Sequence, residues 1–322
     1  MKKFIGIDFG GTNIKLGLFD KDLNLIVKDS IPTYADKGPE VCIEAIVQAC
    51  EKILSENSID KIDIGYMGIG LPGPVNLKEG ILVSPPNLPL FHGCPIRDML
   101  AEAMGVPVVM ENDANAAGWA EHVCGVAEDA DDMAFLTLGT GIGGAVITGG
   151  KLAHGSTDAC GELGHIIIYP DGRKCGCGQL GCAETYASAS STARRANELL
   201  AEGIESSLQA IYKEKGEVTC KDIYLHAADG DDLSVNITEG TAKVLGLLCV
   251  NIMNFMDPKK IVFAGGMIAA GEQLLSRIKY YFAKYAWPGR EKNIEIMFAS
   301  LGEDAGIIGN ASLAILEYKA KN

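Results

Sequence analysis

The sequence has few positive charges for its length, and its net charge is −14 at pH 7. A chain this acidic has no bulk electrostatic attraction to nucleic acid or to an anionic membrane surface. An anionic ligand can still bind it, but only through local backbone N–H groups and a metal ion. We therefore predict that neither nucleic acid nor a membrane is among its partners.

Long hydrophobic runs are also missing. The longest uncharged stretch, residues 134–150, contains six glycines and is more typical of a hairpin than of a membrane span. The basic start Met1-Lys2-Lys3 is followed by Asp8 and not by the apolar stretch of a secretory signal. Ten cysteines are too sparse for a disulfide scaffold. These absences predict a cytoplasmic protein with reduced cysteines.

A pattern of strand, glycine-rich turn and strand occurs twice. Its apolar segments are residues 4–9 and 14–19 in the first copy, and residues 134–138 and 145–148 in the second. Each copy is typical of a β-hairpin. Two copies predict a duplicated domain with two loops that face one ligand.

Between and after these copies, helical and strand periodicities alternate, which indicates an α/β fold. Helices are predicted at residues 40–56, 95–104, 114–123, 185–201, 207–214, 220–229, 237–256, 271–285 and about 304–318, and strands at 62–69, 106–110, 260–264 and 294–299. No linker stands out by composition, so these patterns alone set no domain boundary.

Both glycine-rich turns have groups that suit a phosphate. Glycines let backbone N–H groups approach closely, Thr12 and Asn13 add donors, and Asp8 suits Mg²⁺ held through water. The Gly139–Gly144 loop has the same groups without the Asp. Neither is a Walker A motif, and a strand follows the second loop where a dinucleotide fold needs a helix. A tight hairpin without a ligand is the alternative for either loop alone.

The segment Glu111-Asn112-Asp113 lies where a predicted strand meets a helix. Asn112 or Asp113 suits the helix N-cap, which requires no catalysis. Alternatively, Asp113 accepts a hydroxyl proton while Asn112 orients the same substrate. The local sequence favours the cap.

Three cysteines lie within eight residues, interleaved with glycines, at Cys175, Cys177 and Cys182. With His165 ten residues upstream as a fourth ligand, they suit a tetrahedral metal ion. Three free thiols are the alternative.

Seven motifs occur in order along the chain: Asp8-Phe9-Gly10-Gly11-Thr12, Leu71-Pro72-Gly73-Pro74-Val75, residues 111–117, residues 138–144, Gly161-Glu162-Leu163-Gly164-His165, the Cys-Gly-Cys-Gly run that ends at Glu184, and Ala264-Gly265-Gly266. In this series the chain resembles the sugar kinases of the ROK family (repressors, open reading frames, kinases), and it is most similar to the bacterial glucokinases of that family. The resemblance spans essentially the whole chain.

The resemblance implies an actin-like, hexokinase-type fold of two α/β domains with a ligand cleft between them. The small N-terminal domain would comprise residues 1–113 plus 304–322, and the large domain with the zinc loop residues 114–303. The last helix would return to pack on the N-terminal domain. A homodimer or homotetramer is the implied assembly.

The resemblance also implies roles for individual residues, with ATP, Mg²⁺ and a structural Zn²⁺ as cofactors. The nucleotide-binding positions are Asp8, Gly10, Gly11, Thr12, Asn13, Gly139, Thr140, Gly141, Gly265 and Gly266. The sugar-binding positions are Gly73, Asn112, Asp113, Glu162, His165 and Glu184, with Asp113 as the catalytic base. The zinc ligands are His165, Cys175, Cys177 and Cys182. Phe91 lies near the position where many of the family's glucokinases carry a Trp at the entrance to the sugar pocket.

The implied activity is ATP-dependent phosphorylation of a hexose, with glucose converted to glucose 6-phosphate as the first expectation. Kinases for N-acetylmannosamine, fructose, allose or N-acetylglucosamine are the alternatives within the family. A sugar-responsive transcriptional regulator is a remote alternative. Such regulators carry an additional N-terminal helix-turn-helix domain, and we expect none because the first predicted strand begins at about residue 4.

Overall fold

The computed structural model describes residues 1–85 and 87–322. These residues form two compact units. The first comprises residues 1–128, 152–160 and 301–322, and the second comprises residues 129–151 and 161–300. Each unit combines helices with a five-stranded sheet, which confirms the predicted α/β class.

The strands, in chain order, are β1 (Lys3–Phe9), β2 (Asn13–Phe19), β3 (Leu25–Pro32), β4 (Ile64–Leu71), β5 (Val75–Asn76), β6 (Ile81–Leu82), β7 (Val108–Asn112), β8 (Met133–Leu138), β9 (Ile142–Thr148), β10 (Lys151–Leu152), β11 (Lys260–Ala264) and β12 (Glu295–Phe298). The helices are α1 (Pro39–Glu56), α2 (Ile96–Met104), α3 (Asp113–Cys124), α4 (Glu184–Ala187), α5 (Ala189–Ala201), α6 (Gln209–Lys215), α7 (Cys220–Ala228), α8 (Asp232–Met256), α9 (Glu272–Tyr285) and α10 (Ala305–Lys321).

The two sheets share one topology. The strand order is β3-β2-β1-β4-β7 in the first and β10-β9-β8-β11-β12 in the second. In each sheet an antiparallel hairpin, β1–β2 or β8–β9, is followed by two parallel neighbours. Both predicted hairpins are therefore confirmed, and so is the duplication.

The core of the first unit lies between its sheet and helices α1 and α2. The apolar residues of α1 recur at helical spacing, so Cys42, Ile43, Ile46 and Ile53 are all buried on one face. Phe91, buried completely, belongs to this core and packs edge-on against Phe9 with 5.6 Å between ring centroids.

Helix α10 packs on the first sheet, as the resemblance implied. Gly6 and Gly68 permit the close approach, because a Cβ at either position would overlap the backbone of α10. Asn310 on α10 donates from Nδ2 to the Ile7 carbonyl at 2.8 Å. Helix α3 in turn packs against α10, so the division of the structure falls after residue 128 and not after residue 113, where the resemblance had placed it.

Among the described residues, one helix, α8, is long and apolar enough to cross a membrane. It packs against α7 and α9, and 61% of its most apolar window is buried inside the protein. Leu245, Leu248 and Cys249 on this helix are fully buried. These contacts are those of a core helix in the second unit.

Candidate functional site

The turn between β1 and β2 presents exposed backbone at Gly11, Thr12 and Asn13. The N–H of Gly10 donates to the carbonyls of Asp8 at 3.2 Å and Asn13 at 3.0 Å. The hydroxyl of Thr33 donates to the Gly10 carbonyl at 2.7 Å. The base of the loop is thus held by hydrogen bonds while its tip faces solvent, as a phosphate-binding loop requires.

Asp8 ends up beside the first turn of α10. A Cβ at Gly306 would stand 2.6 Å from the Asp8 Cγ, so the carboxyl group lies directly against the helix start. Burial raises the pKa of Asp8, and the charge of Lys15 acts in the opposite direction. The partial positive charge of a helix N-terminus also favours a carboxylate there. This acidic group, next to the glycine loop, suits a hydrated Mg²⁺ ion.

The second glycine loop is fixed by a carboxylate. Glu184 accepts a hydrogen bond from the Ile142 N–H to its Oε2 at 2.8 Å. The same oxygen lies 2.3 Å from where a Cβ of residue 141 would stand, so a side chain at this position would displace the carboxylate. Across the loop, the Gly139 N–H donates to the Gly141 carbonyl at 3.0 Å. Glu184, assigned to the sugar by resemblance, therefore also contacts the second loop.

Gly265 joins the same group of residues. Its φ of 86° lies in the region that favours glycine, and a Cβ there would overlap the backbone of Leu138, just before the loop. The Ala189 N–H donates to the Gly139 carbonyl at 2.9 Å. The structure thus brings the second loop, Glu184 and the Gly265-Gly266 turn together within the second unit.

A cavity of about 640 Å³ begins at Ala189, the residue that donates to Gly139. Its lining comes from α5, from α6, from the segment between α6 and α7 and from the start of α7, and includes Ala189, Ser190, Asn197, Tyr212 and Thr219. The volume lies in the range of small-molecule pockets. No motif of the sequence predicted this cavity, because its lining residues, which include Arg194, Glu217 and Lys221, belong to none.

The predicted metal ligands converge. The ligand atoms of His165, Cys175, Cys177 and Cys182 lie within 4.8 Å of one another. Zinc bonds of about 2.3 Å to sulfur and about 2.1 Å to nitrogen give tetrahedral edges of about 3.8 Å between two sulfurs and about 3.6 Å between sulfur and nitrogen. The distance from Cys177 Sγ to Cys182 Sγ is 3.7 Å, and that from Cys175 Sγ to His165 Nδ1 is 3.5 Å. The donor set and its spacing fit a zinc ion.

Two carboxylates flank this cluster. With Nδ1 of His165 directed at Cys175, its Nε2 lies 3.8 Å from Glu162 Oε2. Glu184 Oε1 lies 3.8 Å from Cys175 Sγ. Three of the predicted sugar-binding side chains, Glu162, His165 and Glu184, are therefore gathered around the metal cluster in the second unit.

The other three predicted sugar-binding residues, Gly73, Asn112 and Asp113, lie together in the first unit. Asn112 is the N-cap of α3, and its Oδ1 accepts from the N–H groups of Ala114 at 2.9 Å and Asn115 at 3.1 Å. Its Nδ2 donates to the Gly73 carbonyl at 3.2 Å. Asp113, the first residue of α3, is partly exposed. The cap that the local sequence favoured is confirmed for Asn112.

Comparison with known proteins gives consistent results. The model of the ROK family matches residues 4–317. A glucokinase of Halalkalibacterium halodurans is 36% identical, over 96% of this chain and 94% of that protein. An N-acetylmannosamine kinase of Citrobacter koseri is 30% identical, over 96% of this chain and 98% of that protein.

A solved structure agrees in fold. The ROK family glucokinase of Streptomyces griseus, in complex with glucose and AMPPNP, has a TM-score of 0.79 and 31% identity, with 97% of this chain and 98% of that chain covered. This likeness and the repeated sheet order show the actin-like, hexokinase-type α/β fold. Since the family model and these relatives match nearly the whole length, the chain belongs to the ROK family.

Proposed function

We propose that this chain, an ATP-dependent sugar kinase, phosphorylates glucose to glucose 6-phosphate. The observation that carries the proposal is the start of α3, where Asp113 adjoins Asn112 and Asn112 holds the Gly73 loop. The names of the Halalkalibacterium halodurans and Streptomyces griseus relatives support glucose as the sugar.

Asp113 is the proposed general base. Phosphoryl transfer requires little covalent help from a protein and depends on positioning and charge stabilisation. A partly exposed carboxylate at the first residue of a capped helix has a fixed position and can still reach a ligand. Asp113 would accept the proton of the attacking sugar hydroxyl, while Asn112 and Gly73 orient the same sugar.

Each glycine loop binds phosphate groups in this proposal. The N–H groups of Gly10 and Gly139 hold the loops themselves. The loop tips, Gly11-Thr12 and Thr140-Gly141, would present their backbone N–H groups to the phosphates, and Asp8 would hold Mg²⁺ through water. When bound, Mg²⁺ neutralises charge on the phosphates. The 640 Å³ cavity, together with the Gly265-Gly266 turn, would bind the adenosine. This cavity is lined by Ala189, whose N–H donates to the carbonyl of Gly139 in the second loop.

The proposed zinc is structural. Four protein ligands leave no open position for a water nucleophile. Its ligands His165 and Cys175 contact Glu162 and Glu184, so the ion would fix the loop that presents these carboxylates to the sugar. On resemblance alone, we propose a cytoplasmic homodimer or homotetramer.

N-acetylmannosamine is the second candidate substrate, because the Citrobacter koseri relative bears that name. An N-acyl group is bulky and half apolar, so its acceptance needs a recess beside the polar groups. Fructose, allose and N-acetylglucosamine complete the range of substrates to be tested. A site that hydrogen-bonds particular hydroxyls rejects analogues that leave its buried polar groups unpaired.

A coupled ADP-release assay with glucose, these four sugars and no-sugar blanks tests the proposal. We expect the highest kcat/KM with glucose. If another sugar exceeds glucose tenfold, about 1.4 kcal/mol in transition-state binding, glucose is the wrong substrate. If no sugar stimulates ADP release, the assignment of the base and the loops is wrong as well.

A further inference from the structure

Residues 152–160, which we call the strap, lie in sequence between two parts of the second unit but cluster with the first. Two side chains of the strap contact the first unit. His154 Nε2 lies 2.7 Å from Glu111 Oε2. Asp158 accepts a hydrogen bond from the Leu77 N–H to its Oδ2 at 2.9 Å. The strap is therefore attached at two points by polar contacts.

The first contact reaches the residue that precedes Asn112 and Asp113. The Glu111 carboxyl is buried, and its Oε1 accepts from the Asn112 N–H at 2.9 Å and from Asn115 Nδ2 at 2.9 Å. Its Oε2 is the oxygen that contacts His154. A single carboxylate thus connects the strap to the backbone of the cap residue and to the first turn of α3.

A buried carboxylate is costly unless a cation or several donors compensate its charge. In residues 1–85 and 87–322, the ion-pair partner of Glu111 is His154. The acidic groups that face His154 are Glu111 on β7 and Asp158 on the strap itself. The hydrogen bond to Glu111 raises the pKa of His154, burial lowers it, and the charges of Glu111 and Asp158 raise it further. The raised pKa favours the protonated form of His154 beside the buried carboxylate.

We propose that His154 is a positioning residue for phosphoryl transfer, which through Glu111 holds Asn112 and Asp113 in the geometry that the sugar hydroxyl requires. The inference rests on the proposed kinase function and adds a residue that no motif contains. His154 acts through Glu111 and not on the substrate. We therefore expect the loss of His154 to lower kcat and to leave the KM for ATP unchanged.

The charge of His154 gives the proposal a pH signature. Because the folded-state pKa lies above the ordinary value of 6.5, the ion pair is fully present below 6.5 and is lost as the pH rises through the raised pKa. Neutral histidine still donates a hydrogen bond from Nε2, but without the assistance of charge. We expect kcat of the wild type to fall across this pH window.

The test compares kcat and both KM values between pH 6 and 9 for the wild type, His154→Gln and His226→Gln. Glutamine keeps a neutral donor for Glu111. His226, which contacts Ser207 in the second unit, is the matched control. We expect His154→Gln to lower kcat about tenfold at pH 6.5, the difference between a charged and a neutral hydrogen bond, and to match the wild type at alkaline pH. The control should follow the wild type throughout.

Other results overturn the proposal. If His154→Gln lowers kcat by the same factor at every pH, the role of His154 is merely structural. If kcat is unchanged, His154 has no role. If His154→Gln does not fold, Glu111→Gln removes the same charge pair. The kcat of Glu111→Gln must then show no fall with pH across the window in which the wild-type kcat falls. A wild type that phosphorylates no sugar contradicts the proposed function itself, whereas an active wild type with an unaltered His154→Gln profile contradicts only the role of His154.

Discussion

Gly141→Ala removes one hydrogen bond from the second loop by steric means alone. A Cβ at residue 141 would overlap Glu184 Oε2, which accepts from the Ile142 N–H at 2.8 Å. The φ of Gly141 lies outside the region reserved for glycine, so alanine brings no backbone strain. The carboxylate must move, and we expect the Ile142 N–H to lose this acceptor.

The matched control is Gly139→Ala in the same loop. A Cβ there meets nothing within 4 Å, and its φ is also ordinary. Replacing glycine by alanine without strain stabilises a protein by about 0.4–1 kcal/mol through the unfolded state. Both variants gain this amount, but Gly141→Ala also loses a hydrogen bond to a charged group, about 1.5–3 kcal/mol. The two variants should differ in unfolding free energy by that bond.

Thermal unfolding of the ligand-free protein measures the difference. At roughly 2–4 °C per kcal/mol for a unit of this size, Gly141→Ala should melt about 3–12 °C below Gly139→Ala. Titration with ATP then reports on the loop: Gly141→Ala should bind ATP more weakly than the wild type, because a loop without its support must be ordered when ATP binds. Equal melting temperatures for the two alanine variants would refute the assignment of Glu184 as the support of this loop.

Two further predictions concern the proposed site. Asp113→Asn should reduce kcat by about 10²–10⁴ while sugar binding, measured by calorimetry, is largely retained, because a positioned base acts on the transition state; a variant that keeps a tenth of the wild-type kcat would leave Asp113 without a catalytic role. Protein purified without added metal should contain one zinc ion per chain by elemental analysis, and removal of the ion should raise the KM for the sugar, because the cluster contacts Glu162 and Glu184. Active enzyme without zinc would contradict the metal assignment.

Local sequence signals predicted most of the elements, and the exceptions have physical causes. Strand β3 was missed because it lies at the edge of its sheet, where none of its residues is buried, so no apolar alternation marks it. The helix predicted over residues 185–201 is interrupted at Ser188, whose side chain instead accepts from the Ser191 N–H at 3.1 Å and caps α5. Helix α8 begins five residues before the prediction, at Asp232, because Asp231 caps it.

In the site, too, contacts between residues close in sequence were predicted, and contacts between distant residues were not. The ligands Cys175, Cys177 and Cys182 are close in sequence, so their spacing alone predicted the cluster that the structure shows. His154 and Glu111 are 43 residues apart and belong to no shared pattern. Their contact depends on the path of the strap, which only the folded chain reveals.

The position of α10 has a consequence for biosynthesis. In the first unit, residues 301–322 cover β1 and β4. The ribosome must add about 300 further residues after β1 before this segment is synthesised. At roughly 5–20 residues per second, β1 waits about 15–60 s for its partner helix. The second unit, by contrast, is complete in sequence at residue 300. The first unit to begin synthesis is therefore the last to be complete, and β1 and β4 lack their covering helix throughout that interval.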